Sequence, residues 1–251
     1  MAKRTVIKVG GAELREGDQI GRLVDTLCQA SQRSELIVVH GGGPEIAGLQ
    51  QRLGLEPCFV DGLRVTDDDC LSVAEMVLSG AVNKRLAARL VSCQVRAIGI
   101  SGVDGGLLRA RQLEHPGGDL GRVGEITDVE TGCLEDLLSA GFTPLVSPIS
   151  LGDDGRPFNV NADHAALAIA QAMRADELVF LTNVPGVLGD GGIIGELTAE
   201  GAEALIDAGV VSGGMIPKVR SAIEAVSAGV GAVRITDMAG LYAGKGTRVV
   251  A

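Results

Sequence analysis

Thr5-Val-Ile-Lys8-Val9 runs straight into Gly10-Gly11, and Leu36-Ile-Val-Val-His40 runs into Gly41-Gly42-Gly43-Pro44, so two apolar β runs each end in glycine. Strands apolar on both faces belong to a mainly parallel sheet covered by helices on each side. Lys8 interrupts the first run with an ammonium group, which is costly to bury unless a carboxylate, a phosphate or water meets it. Glycine at a strand's carboxyl end lets backbone N–H groups approach an anion closely, and Pro44 suits the first turn of a helix whose start attracts negative charge. Either glycine turn by itself reads first as a tight strand-to-helix connection. With Lys8 beside them, the two together point to phosphate.

Outward from these turns the chain alternates. Strand-like runs at 5–9, 35–40, 95–100, 144–150, 177–182 and 232–236 alternate with helical stretches near 18–32, 44–53, 67–91, 130–140, 162–173, 198–208 and 216–228. This βα alternation predicts an α/β fold, a three-layer αβα sandwich around a mainly parallel central sheet. Ligands of such sheets gather at the carboxyl ends of the strands, where Lys8 and both glycine turns fall. Residues 101–127 are glycine-rich and polar, and Leu107–Arg111 with Gly121–Glu125 read as a β-hairpin excursion, either a lid or a surface decoration. A second βα series begins at Glu177, with no linker before it. The organisation expected is two lobes on one continuous sheet, 1–174 and 175–251.

Composition narrows the function classes. The chain has 251 residues, 46% of them hydrophobic, so a sizeable core is available. It has no Trp, one Tyr and four Phe, and a net charge of -10, which argues against base stacking and against a phosphate-backbone partner. Any anion must therefore be held by a few local cations. No signal-peptide pattern and no bilayer-length apolar run occur, so a cytoplasmic protein without a membrane partner is expected. The five cysteines and three histidines lack metal-ligand spacing, and no protein-held metal is expected.

Three further segments carry chemistry. Asn159-Val-Asn161-Ala-Asp163-His164 precedes an apolar helix, for which Asp163 reads as a candidate N-cap. Asn159 and Asn161 share one side of an extended approach, leaving two amides for a substrate carboxylate or for an Asx-type turn. Phe180-Leu-Thr182-Asn183-Val184-Pro185-Gly186-Val187 leaves a strand into a Pro-Gly turn. Ser212-Gly-Gly-Met-Ile-Pro-Lys218 opens another helix with a lysine in its first turn. A cation there opposes the helix dipole unless an anion offsets it, or else it is an exposed helix lysine. No Walker A loop occurs: Gly240-Leu-Tyr-Ala-Gly244-Lys245-Gly-Thr247 is one residue short and opens no helix.

Taken in order, Lys8-Val-Gly-Gly11, His40-Gly-Gly-Gly43, Gly62-Leu-Arg64-Val-Thr66, Asn159–Asp163, Leu181–Val187, Gly213–Lys218 and Gly246-Thr-Arg248 resemble the amino-acid kinase family, in particular its branch acting on N-acetyl-L-glutamate. The resemblance implies ATP- and Mg²⁺-dependent phosphorylation of the γ-carboxylate of N-acetyl-L-glutamate, the second step of arginine biosynthesis. It also implies an amino-terminal acceptor lobe and a carboxyl-terminal nucleotide lobe. By motif position, Lys8 and Lys218 would stabilise the transferring phosphoryl group and Asp163 would orient both. Gly10, Gly11, Gly42 and Gly43 would offer N–H groups to phosphate and substrate, while Arg64, Asn159 and Asn161 would hold the acceptor. Thr182–Val187 and Val210, Val211 and Ser212 would border the nucleotide. The amphipathic stretch Cys70–Val91 is the candidate surface of a homodimer, or else packs on its own sheet. Because the first strand begins by Thr5, without the additional helix of arginine-inhibited relatives, insensitivity to arginine is expected.

The chemistry implied makes sense in physical terms. A γ-carboxylate with a pKa of about 4.3 is ionised at neutral pH, so the reaction needs no general base. The obstacle is anion meeting anion: unit charges about 4 Å apart repel by roughly 4 kcal/mol at an effective dielectric of 20. Cations and N–H donors are the catalysts required. The rival readings are a kinase for a carrier-protein-linked aminoadipate in lysine biosynthesis, whose acidic carrier the negative charge of this chain disfavours, and a non-catalytic nucleotide or amino-acid sensor.

Overall fold

The computed structural model describes residues 3–14, 17–189, 191–211 and 215–250, without the side chains of Ala12 and Pro217. β1 (Arg4–Val9) passes through a 3₁₀ turn (Ala12–Leu14) to α1 (Asp18–Ser31), and β2 (Glu35–His40) passes to α2 (Gly43–Arg52). A ribbon of β3 (Phe59–Val60) and β4 (Leu63–Arg64) precedes a helical rod made of α3 (Asp68–Glu75), a π-helical segment (Met76–Val82) and α4 (Asn83–Ser92). Next come β5 (Ala97–Gly102), β6 (Leu108–Gln112), β7 (Val123–Val129), α5 (Gly132–Ser139), β8 (Thr143–Gly152), β9 (Pro157–Val160) and α6 (Ala162–Ala172). β10 (Glu177–Leu181) leads to a small ribbon, β11 (Leu188–Gly189) and β12 (Gly192–Ile193). β13 (Glu196–Thr198), α7 (Ala199–Asp207), α8 (Met215–Ser227), β14 (Val233–Thr236), α9 (Met238–Ala243) and β15 (Thr247–Val250) follow.

One eleven-stranded sheet runs in the order β13-β15-β14-β10-β1-β2-β8-β6-β7-β9, with β5 also on β8. β1 lies near its middle, parallel to β10 on one side and β2 on the other, so Lys8 sits level with Phe180 and Val39. Alternation along these strands builds two core layers. Val6, Ile37, Val39, Leu178 and Phe180 pack against α6 and α8 on one face, whereas Ile7, Val9, Val38, Val179 and Leu181 pack against α1 and the helical rod on the other. Lys8 takes the same parity as Val6. Its side chain is therefore sent to the α6 face.

The periodic segments appear where the pattern placed them, and the three-layer architecture is as expected. The hairpin excursion, however, is part of the sheet: β6 adds parallel to β8 and β7 parallel to β9. The helical rod spends its apolar face internally, since Leu71, Val73, Leu78, Leu86 and Leu90 are buried, and leaves Met76 and Val91 about half exposed. Among the described residues no helix is long and apolar enough to cross a membrane.

Candidate active site

The carboxyl ends of β1 and β2 bring the two glycine turns into contact. A Cβ on Gly11 would stand 2.6 Å from the Pro44 ring and 3.2 Å from the Gly43 nitrogen, and one on Gly42 would stand 2.7 Å from the Leu78 side chain. Only glycine allows this approach. Gly42 caps α2 without a side-chain hydrogen bond, so the helix start keeps the orphan N–H donors that suit an anion.

Behind the turn, His40 is completely buried. Its Nδ1 lies 3.0 Å from the Gly41 carbonyl and donates to it, leaving Nε2 to accept from Asn83 Nδ2 at 3.0 Å. Asn83 Nδ2 also donates to the Leu145 carbonyl at 2.9 Å. Burial, with Lys84 and Arg85 nearby adding to it, holds the imidazole pKa down at about 4, against the opposing bond to Gly41. The neutral ring thus pins the peptide from which the glycine turn begins.

Lys8 Nζ lies 2.8 Å from Asp163 Oδ1, with 12% and 25% of the two side chains exposed. The contact is short but poorly aligned, and this buried oxygen has no aligned hydrogen-bond partner among the described residues. The sequence reading of Asp163 as N-cap is corrected here. Asn161 caps α6 by accepting from Asp163 N–H at 2.7 Å, so Asp163 sits in the first turn with its carboxylate free for Lys8. Of the two readings offered for the asparagine amides, Asn161 makes the Asx-type turn with its oxygen, and Asn159 alone has its NH₂ group engaged among the described residues. The Asn161 oxygen is spent on the cap, and Asn159 Nδ2 donates to Thr66 Oγ1 at 3.1 Å. Thr66 in turn donates to the Arg64 carbonyl at 2.7 Å, tying β9 to the β3–β4 ribbon.

Arg64 enters the same space from β4. Its guanidinium stacks on Phe59, 4.6 Å from the ring centroid, and donates to the Gly43 carbonyl at 3.2 Å and to Gln50 Oε1. No carboxylate pairs with it among the described residues. Burial lowers its pKa from the ordinary value, which registers the cost of a half-buried charge without a counter-ion. Lys8, Gly11, Gly42, Gly43, Arg64, Asn159, Asn161 and Asp163 all line one cavity of about 340 Å³.

A second cavity of about 520 Å³ lies across the 3₁₀ turn, lined by Glu13, Thr182, Asn183, Asp237 and Tyr242 among others. The other nucleotide-side candidates are placed less openly. Val187 and Val211 are core side chains, and Val187 N–H is taken by Thr247 Oγ1 at 2.7 Å. The Thr182 hydroxyl closes the turn by accepting from Val184 N–H at 3.0 Å. Pro185 is half-buried, Val210 is exposed, and Gly186 stands against Thr247 at φ +153. Lys218 lies half-buried in the first turn of α8, while Ser212 falls outside the described residues. The sequence reading missed Gln50, Phe59 and Glu13, and quoted Thr66 in the Gly62–Thr66 motif without a role for it. Glu13 had a signal in its place two residues after Gly11, but Gln50 had none.

The α/β sandwich with its cation-lined carboxyl edge defines a phosphotransferase class, and the chain belongs to the amino acid kinase family, whose model matches residues 3–237. The chain is 52% identical over 246 residues to an acetylglutamate kinase of Roseiflexus castenholzii, covering 98% of this chain and 93% of the relative. It superposes with a TM-score of 0.87 and 27% identity on an N-acetylglutamate synthase from Neisseria gonorrhoeae complexed with coenzyme A and N-acetyl-glutamate, covering all of this chain and 60% of that one. A carbamate kinase from Giardia lamblia shares the fold at a TM-score of 0.74 and 16% identity, over 99% of each chain.

Proposed function

We propose that the chain transfers the γ-phosphoryl group of ATP to the γ-carboxylate of N-acetyl-L-glutamate, giving N-acetyl-L-glutamyl 5-phosphate and ADP, the second step of arginine biosynthesis. The supporting observation is Arg64, a half-buried cation without a carboxylate partner among the described residues, in the cavity that holds the Lys8–Asp163 pair. It receives the acceptor's α-carboxylate, with Asn159 and Asn161 alongside. The γ-carboxylate then lies toward Lys8 and the glycine turns.

The γ-carboxylate attacks the γ-phosphorus in line and ADP leaves. Lys8 and Lys218 offset the charge that repels the two anions, and Gly10, Gly11, Gly42 and Gly43 place N–H donors on phosphoryl oxygens. Asp163 orients Lys8 and takes no proton, since the nucleophile is already ionised. Thr182–Val187 with Val210–Ser212 border the nucleotide, and residues 1–174 and 175–251 form the acceptor and nucleotide lobes. Among the described residues no group of three His, Cys, Asp or Glu side chains stands ready for a metal. Mg²⁺ brought by ATP takes its ligands chiefly from phosphate oxygens and water, where it neutralises charge. A cytoplasmic homodimer fits the reading, with Met76 and Val91 of the rod as its exposed apolar contacts; a monomer by light scattering contradicts that part.

The test is ADP release with Mg-ATP, comparing N-acetyl-L-glutamate with glutamate, aspartate, carbamate and N-acetyl-aminoadipate. Turnover on N-acetyl-L-glutamate alone is expected. Activity only on a longer or carrier-linked acceptor moves the enzyme to lysine biosynthesis, and ATP binding without turnover on any acceptor makes it a sensor.

A further inference from the structure

Gln50 stands on the buried side of α2, with 2% of its surface exposed, in the helix that begins at the glycine turn. Its Oε1 accepts from Arg64 Nη1, and its Nε2 donates to Cys70 Sγ at 3.4 Å. A buried glutamine amide normally satisfies both ends, and here one end is spent on a cation. The remaining groups around that guanidinium, the Gly43 carbonyl and the Phe59 face, are also neutral. Arg64 is therefore fixed in direction while its charge is left uncancelled.

We infer that Gln50 is a specificity-determining positioning residue, a neutral tether that aims the Arg64 guanidinium at the acceptor's α-carboxylate without competing for it. A carboxylate at this position would reach the same Nη1 and neutralise the cation before substrate arrived. An aliphatic side chain would fill the space but leave the fork free to turn, and two parallel hydrogen bonds to a carboxylate need that fork held. The inference rests on the proposed acceptor role of Arg64. It adds that selectivity for an α-carboxylate is set from α2, a helix that does not carry the arginine.

The experiment compares N-acetyl-L-glutamate with 4-acetamidobutanoate, the same acceptor lacking the α-carboxylate, in wild type, Gln50→Glu and Gln50→Met. Wild type should prefer N-acetyl-L-glutamate strongly in kcat/KM. Gln50→Glu should raise KM for N-acetyl-L-glutamate at least tenfold with kcat within about twofold, and should shrink the preference by a similar factor. Gln50→Met should shrink the preference less, and it reports on the tether if the glutamate variant fails to fold. A preference unchanged in every folded variant overturns the role of Gln50 alone. A wild type that uses both acceptors equally overturns the Arg64 reading, and the inference with it.

Discussion

The two edges of the central sheet use the same residue types to opposite ends. At the amino edge, Glu177 accepts from Lys3 at 2.8 Å and from Arg234 at 2.7 Å, while Arg4 meets Glu135 at 2.8 Å and Glu35 at 3.1 Å. Lys3, Arg4 and Arg234 thus each have a carboxylate. At the carboxyl edge, Lys8 shares Asp163, and Arg64 is held by an amide, a carbonyl and an aromatic face. Charge that is cancelled at the amino edge, by Glu177, Glu35 and Glu135, holds the fold together. Charge that is aimed but left uncancelled, as at Arg64, costs stability and is available to a ligand, which is why we place the chemistry at the carboxyl edge.

Substitutions at the two edges should accordingly separate activity from stability. Lys8→Ala should lower kcat by roughly 10²- to 10³-fold, the scale for losing one preorganised electrostatic contact. Its loss of stability should be smaller than at the amino edge, because only Asp163, a quarter exposed, loses its partner. A variant that melts early yet keeps its turnover would place Lys8 with the structural charges. Glu177→Gln should do the reverse. It leaves Lys3 and the mostly buried Arg234 without their carboxylate and should cost about 3 kcal/mol in denaturant unfolding, with kcat unchanged.

His40 sharpens the contrast, being a titratable group at the carboxyl edge that the fold keeps neutral. Its pKa is about 4 when folded against an ordinary 6.5, so the unfolded chain binds the proton first as pH falls. Stability from this group is complete above about pH 6.5 and declines as pH drops toward 4. Between pH 7 and pH 5 the loss is about 2 kcal/mol. His40→Asn, which keeps a donor near the Gly41 carbonyl, should flatten that part of the profile. An unchanged profile would assign the acid sensitivity to carboxylates elsewhere.

Much of this arrangement was legible in the sequence. The continuous apolar runs marked β1, β2 and β10, whereas the face that Lys8 serves shows only in the packing of α6 beside Val6. Local capping was harder. Asp163 and Asn161 are both good N-caps, and only the extended backbone at Asn161, which turns its oxygen to Asp163 N–H, decides between them. β9 and β15, four residues each, are too short to show a period. Gln50 was invisible because its partner lies fourteen positions away on a ribbon that folds back over α2, and nothing in the helix's own pattern marks a buried amide.

The most direct test follows the oxygen. With Mg-ATP and N-acetyl-L-glutamate labelled with ¹⁸O in the γ-carboxylate, hydroxylamine trapping should yield a γ-hydroxamate and phosphate carrying one labelled oxygen. That result requires the carboxylate itself to have attacked phosphorus at the Lys8 edge. Unlabelled phosphate released with ADP, and no hydroxamate, would mean that water is the acceptor and would contradict the account.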